Sequence, residues 1–265
     1  MRHVAVDWSG AKHPSGKIWL AEAVHGRLVW LEAFSTRESV VQRIFEYRRS
    51  GEPVVVGLDF SFSFPEWYCR HLGAHAVTDV WREVAARGES WLDACAWPFW
   101  GRPGRRRPEL PAHLRHTEAC VGRCSKIRPR STFQIGGAGA VGTGSLRGMP
   151  FLLELRAAGC AVWPFDAPGH LTIIEIYPRL LTGPVTKSRA QTRGAYLERI
   201  ARSWTAQHRS DAQQSEDAFD AAVSALTMSA RWEGLPSSDS LTPIAALEGQ
   251  IWEPSADSSP GIDVR

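Results

Sequence analysis

The longest apolar runs fall well short of a membrane helix, and Met1-Arg2-His3 leads straight into a strand-like run with no signal peptide before it. Neither a membrane protein nor a secreted one is expected, and the chain reads as cytoplasmic. Cysteine is sparse. Cys69, Cys95, Cys120, Cys124 and Cys160 are odd in number and scattered, which excludes a disulfide framework and leaves reduced thiols. His113, His116, Cys120 and Cys124 crowd one short span, but the paired Cys-x-x-Cys spacing of a zinc site is missing. No Gly-Lys-Ser/Thr follows the glycines, which excludes a Walker A loop, and no internal repeat is present. Acids almost vanish between residues 97 and 130. There Glu109 and Glu118 stand against Arg102, Arg105, Arg106, Arg107, Arg115, Arg123, Lys126, Arg128 and Arg130. The formal net charge of +3 is mild, so it is this local concentration that points to a polyanion.

What remains is a globular chain of 265 residues, 43% of them hydrophobic, with material for one large domain or two small ones. The stretch Val4-Ala5-Val6-Asp7-Trp8-Ser9-Gly10 is a short apolar strand that breaks off at a carboxylate and turns. Residues 17–24 and 27–34 are strand-like and joined by His25-Gly26, a hairpin signal that makes the first three strands a meander. Ser35 and Glu38 stand in capping-box spacing ahead of an apolar stripe, Val40, Val41, Ile44 and Phe45, at helical period. The run Val54-Val55-Val56-Gly57-Leu58 is apolar throughout, as a strand covered on both faces is, and it too ends in an acid, Asp59. Reached through a crossover helix, it is expected to lie parallel to the first strand and to place Asp59 beside Asp7.

Further helices are expected over residues 66–86, 151–158, 188–207 and 215–232, and strands over 161–165 and 171–177, the latter containing Glu175. Asp217 and Asp220 are three apart on the last helix and so share a face. Phe219, Ala222, Val223 and Leu226 mark its buried side, and Ala218, Ala221 and Ala225 are small enough to let it lie close to a sheet. Plain structural roles exist for two of these acids. A turn aspartate can bond its own loop, and an acid in a first helical turn is favoured by the helix dipole. Asp220 differs, because beside an apolar stripe an ionised carboxylate needs a cation.

The blocks Val4-Ala-Val-Asp-Trp-Ser-Gly-Ala-Lys12, Gly57-Leu-Asp-Phe-Ser61, Gly136-Gly-Ala-Gly-Ala-Val-Gly-Thr-Gly-Ser-Leu-Arg-Gly148, Glu175-Ile-Tyr-Pro-Arg179 and Ser215-Glu-Asp-Ala-Phe-Asp-Ala-Ala-Val-Ser-Ala-Leu226 resemble the domain of unknown function 429 family, over about residues 1 to 230. That bacterial family is described as predicted RNase H-like nucleases. The resemblance implies an α/β, RNase H-like fold with a mixed central sheet flanked by helices and an Arg/Gly/Pro-rich insertion. By position it makes Asp7, Asp59, Asp217 and Asp220 ligands of Mg²⁺ or Mn²⁺, with Glu175 a candidate fifth catalytic acid on a later strand. The expected activity is hydrolysis of DNA or RNA phosphodiesters by a carboxylate-held two-metal mechanism, in which the ions activate water and relieve charge on the leaving oxygen.

The expected organisation is a single domain over residues 1–254, with 66–150 an insertion capping the carboxylate end and 255–265 a flexible tail rich in Ser, Pro and Asp. Lys12, Arg102, Arg105, Arg106, Arg107, Arg128 and Arg130 are the candidate nucleic-acid contacts, and Trp97, Phe99 and Trp100 could stack on unpaired bases. The competing picture is a solvated basic loop with its aromatics turned inward. A non-enzymatic alternative is an RNase H-like binding module that has lost turnover. A rival of another class is a dinucleotide enzyme, since Gly137-x-Gly139-x-x-Gly142 within 136–148 matches the Rossmann fingerprint and Asp166 follows. Against it, residues 128–134 make a poor buried strand and Pro150 is expected to interrupt the helix. A sugar-kinase or actin-like reading shares the strand pattern, but such chains duplicate the fold.

Overall fold

The computed structural model describes residues 1–124, 127–237 and 240–254, so Lys126 and the tail from residue 255 lie outside the described residues. Strands β1 (Arg2–Asp7), β2 (Ile18–Val24) and β3 (Arg27–Phe34) form the expected antiparallel meander. Its tight turn is made by His25 and Gly26 at φ of 49° and 71°, the left-handed pair a two-residue hairpin needs. Helix α1 (Arg37–Glu46) starts one residue later than the Ser35 signal implied, because it is Thr36 whose hydroxyl accepts from the Ser39 amide at 3.1 Å. Strand β4 (Val54–Leu58) then enters parallel to β1.

Helices α2 (Glu66–His71) and α3 (Val77–Ala94) replace the single helix expected over 66–86. After α4 (His116–Cys124), helix α5 (Gly142–Ala157) carries Pro150 inside it, correcting the expectation that this proline ends the helix. Strand β5 (Ala161–Val162) is cut short where Pro164, which has no amide to donate, follows Trp163. Strand β6 (Leu171–Glu175) runs parallel to β4. Then come α6 (Pro178–Leu181), α7 (Ala190–Ile200), α8 (Ala206–Gln214), α9 (Glu216–Ala230) and α10 (Ala245–Glu248). The helix expected over 188–207 is thus broken at residues 201–205, where Thr205 caps α8 through the His208 amide.

The result is α/β, with a mixed six-stranded sheet in the order β3-β2-β1-β4-β6-β5 and helices on both faces. On one face Val4, Val6, Leu20, Val56, Leu58 and Ile173 pack with α1, α3 and α5 through Ile44, Trp81, Val84, Leu146, Met149 and Leu152. On the other, Ala5, Val55, Ile174 and Ile176 pack with α9 through Ala218, Phe219, Ala222 and Val223. Alanines at these α9 positions, all at most 1% exposed, let the helix lie against the strands, as its sequence implied. Within residues 66–150, α3 and α5 therefore build one layer of the core, and the irregular excursion is the stretch between them. Among the described residues no helix is long and apolar enough to cross a membrane.

One buried group on β1 sets an acid limit to the fold. His3 is 4% exposed, lies tilted against Trp232 with ring centroids 5.3 Å apart, and has no partner for either ring nitrogen among the described residues. Burial, helped by the N-terminal ammonium, lowers its pKa from 6.5 to about 4. The unfolded chain thus binds a proton that the folded chain refuses. The stability contributed by the neutral ring is complete above pH 6.5 and is lost as pH falls through 4. His3→Phe is expected to remove that slope, worth at most about 3 kcal/mol. Urea melts of the two proteins between pH 4 and 7 check it, and parallel curves would refute it.

Candidate functional site

The parallel register of β1 and β4 pairs Val6 with Leu58, so the next residue of each strand, Asp7 and Asp59, leaves the sheet at the same edge. The Asp59 amide still donates to the Val6 carbonyl at 3.1 Å, which holds the two strand ends together. Ser215 caps α9 through the Ala218 amide at 3.1 Å and fixes the first turn, which carries Asp217, with Asp220 following three residues on. All four carboxylates have raised proton affinity. For Asp7, burial comes first and then repulsion from Asp59, Asp220 and Asp217. Asp59 is pushed up to about 8 by burial and then by Asp220, against the opposing pull of Lys187. Asp220, 6% exposed, is raised by burial and held back by Lys187, and Asp217 is raised by burial and by Glu216.

Among the described residues neither Asp7 nor Asp59 has a side-chain hydrogen bond or ion pair, and Asp220 Oδ1 is buried without a partner. A turn aspartate serving its own loop would show the bonds that Asp7 lacks. The other oxygen, Asp220 Oδ2, pairs with Lys187 Nζ. Lys187 was not singled out in the sequence, where it is one more lysine beside a turn and carries no local signature. These donors are hard oxygens, half-buried at Asp7, Asp59 and Asp217 and buried at Asp220, and mostly unspent, which is what a small divalent cation requires. Among the described residues, however, no three His, Cys, Asp or Glu side chains already stand as a group that could hold a metal.

Glu175 lies close by but on the other face. It pairs in register with Leu58, one residue short of Asp59, and side chains alternate along a strand. Its two oxygens are taken by Arg115 Nη1 at 2.8 Å, by Arg115 Nη2 and by the Phe62 amide at 3.0 Å. Glu175 is therefore corrected from a candidate catalytic acid to one arm of a buried ion-pair network. Arg115, fully buried, likewise leaves the basic surface: Glu118 accepts from its guanidinium at 2.8 and 3.0 Å, and the Glu248 carbonyl accepts from Nη1 at 2.9 Å.

Beside Asp59 opens a cleft of about 160 Å³, walled by Trp8, Tyr177, Arg130 and the first turn of α5. The loop after Asp7 meets that turn so closely that a Cβ on Gly10 would stand 2.6 Å from the Gly144 nitrogen, which is why glycine is required there. Arg130 also lines two neighbouring clefts, one shared with Arg107, Arg128 and Trp100, the other with Arg128, Tyr177 and Arg179. Arg130 thus lines the cleft of Asp59, while Arg107 and Arg128 line the neighbouring clefts. Arg105 and Arg106 are exposed and Arg102 half-buried in the same turn, while Lys12 is exposed, with Glu89 as an electrostatic neighbour. Of the aromatics, Phe99 is core, packed on Phe64, Tyr68 and Phe133. Trp97 is 53% exposed, and Trp100 lies under the Arg107 guanidinium at 5.8 Å.

The rival sites fare differently. Cys120 Sγ accepts from Arg123 at 3.0 Å and lies 3.4 Å from His116 Nε2, with the Cys124 side chain outside the described residues. Asp166 holds Arg156 at 2.6 Å and the Val162 amide at 3.0 Å, so each of its oxygens already serves the fold. No family model matches the chain, and no curated protein or solved structure matches it, so the chemistry of the site stands on its own residues.

Proposed function

We propose that this protein is an RNase H-like, metal-dependent nuclease of the kind its sequence blocks resemble. The observation that carries the reading is a set of carboxylate oxygens without partners among the described residues at one sheet edge, those of half-buried Asp7 and Asp59 from adjacent parallel strands and buried Asp220 Oδ1 from α9. Element order supports it, because a meander, a crossover helix, a parallel strand, further strands and a closing helix are what the resemblance implies. Asp7, Asp59, Asp217 and Asp220 would hold Mg²⁺ or Mn²⁺. When bound, such an ion lowers the pKa of water and neutralises charge on the leaving oxygen. The rest falls to the chain itself. Arg130 stands beside Asp59 to draw a phosphate in, and Trp8 and Tyr177 wall the cleft against bulk water. Arg107 and Arg128 extend the positive lining outward along a nucleic-acid backbone.

A panel of single-stranded, duplex and branched DNA and RNA, incubated with Mg²⁺, Mn²⁺ or EDTA, tests the reading. Cleavage that EDTA abolishes is the expected result, and no cleavage of any substrate with either metal counts against it. Replacing Arg105, Arg106 and Arg107 together with Ala is expected to weaken binding. It should also flatten the plot of log affinity against log salt by about one to three units, since each lost phosphate contact releases fewer counterions. Melting temperature should move little, because all three are exposed. Fluorescence anisotropy over a salt series reads the slope, and an unchanged slope would make this stretch only a cover.

A further inference from the structure

Resting on the metal-centre reading above, we propose that Lys187 is a resident cation of the carboxylate site: its ammonium takes the place of one of two divalent ions, so the centre binds a single Mg²⁺ or Mn²⁺ per chain. Three observations carry this. First, Lys187 Nζ pairs with Asp220 Oδ2, and both side chains are nearly buried, 12% and 8% exposed. Only Oδ1 of Asp220 is left for an ion, and a divalent ion on Oδ2 would sit against an ammonium in a setting of little screening.

Second, the lysine is anchored rather than loose. It lies in the connection between α6 and α7, where its carbonyl accepts from Arg193 Nη1. The same guanidinium donates to the carbonyl of Gln213 at 2.6 and 2.9 Å and to that of Gln214 at 3.0 Å, the residues leading into α9. Arg193, 4% exposed, thereby ties the backbone of Lys187 to the start of the helix that carries Asp220. Third, the charge is shared. Lys187 offsets the repulsion at all four of Asp7, Asp59, Asp217 and Asp220, foremost at Asp220, which it touches, while the neighbouring Glu175 is already matched by Arg115. One ammonium and one divalent ion then offset most of the charge of these acids, and no further carboxylate asks for a second ion.

The test is Mn²⁺ stoichiometry on the full chain, measured by isothermal titration calorimetry and by the electron paramagnetic resonance of unbound Mn²⁺. Wild type is expected to bind one Mn²⁺, Lys187→Arg one, and Lys187→Gln, which keeps a polar side chain without the charge, two. Two ions in wild type or in Lys187→Arg would overturn the proposal while leaving the metal centre standing. One ion in Lys187→Gln would show that the ammonium holds no ion's place and would also overturn it. No binding in wild type would remove the metal centre itself. If Lys187→Gln does not fold, wild type and Lys187→Arg still decide, because two ions in either is fatal.

Discussion

Asp59→Asn is expected to abolish metal-dependent cleavage while leaving the metal-free protein at least as stable as wild type. Losing a ligand of the charge-neutralising ion should remove about 4 kcal/mol of transition-state stabilisation, roughly a thousandfold in rate. The effect on stability follows from repulsion. Burial and Asp220 raise the Asp59 pKa from 3.8 to about 8, so the folded chain holds a proton that the unfolded chain releases. Stability from that proton is complete below pH 3.8 and is lost as pH rises through 8, and asparagine, which does not ionise, escapes the loss. In wild type a bound divalent ion reverses the balance by mass action. At a hundredfold excess over Kd it adds about 2.7 kcal/mol, or roughly 5–10 °C in Tm for a chain of this size. Thermal melts at pH 8 with and without Mn²⁺ measure both halves. If Asp59→Asn is less stable without metal and Mn²⁺ moves neither protein, the carboxylates are structural and the nuclease reading falls.

Arg115→Ala is expected to produce the largest loss of stability. The guanidinium is fully buried and serves Glu118, Glu175 and the Glu248 carbonyl at once, so its removal strands two carboxylates that are each 3% exposed. Breaking a buried pair from one side costs about 3–5 kcal/mol, because the remaining charge has no water to return to. The deficit should shrink as pH falls, since burial raises the proton affinity of the Glu175 carboxyl and the loss of Arg115 removes the charge that opposes it. Chemical denaturation at pH 5 and pH 8 checks both the size and this sign. Mn²⁺ should still bind, because Arg115 touches none of Asp7, Asp59, Asp217 and Asp220. A variant as stable as wild type would mean that the network contributes no net stability.

Most of the scaffold of the site was legible in the sequence. Strand ends at Asp7 and Asp59, the hairpin turn, and the alanine face of α9 are local patterns, and local patterns set the parallel pairing that brings the two strand-end acids together. Register was not legible. Glu175 closes its strand as Asp59 follows its own, but an offset of one residue against β4 turns it to the opposite face, and no single-strand pattern reports an offset between strands. Lys187 and Arg115 escaped for a related reason. Each is defined by partners far along the chain, Asp220 for one and Glu175 and Glu248 for the other, and the pairing of Arg115 with Glu118 three residues on does not by itself report a distant acid. Pro150 shows the limit of a local rule, since α5 passes through it, supported by the packing of Met149 and Leu152 in the core.

The tie between Arg115 and Glu248 also bears on how the protein is made. A ribosome delivers β1, β4, α3 and α5 long before residue 248, yet the Arg115 guanidinium and the amides of Glu66 and His116 find acceptors on Glu248 only once that residue has emerged. Until then the excursion between α3 and α5 carries a cation and donors with part of their complement missing. Ile251 and Trp252 then pair with Glu175 and close the edge of β6. The excursion between α3 and α5 is therefore completed only by residues 248–252, and it cannot mature as a separate unit before they have been made.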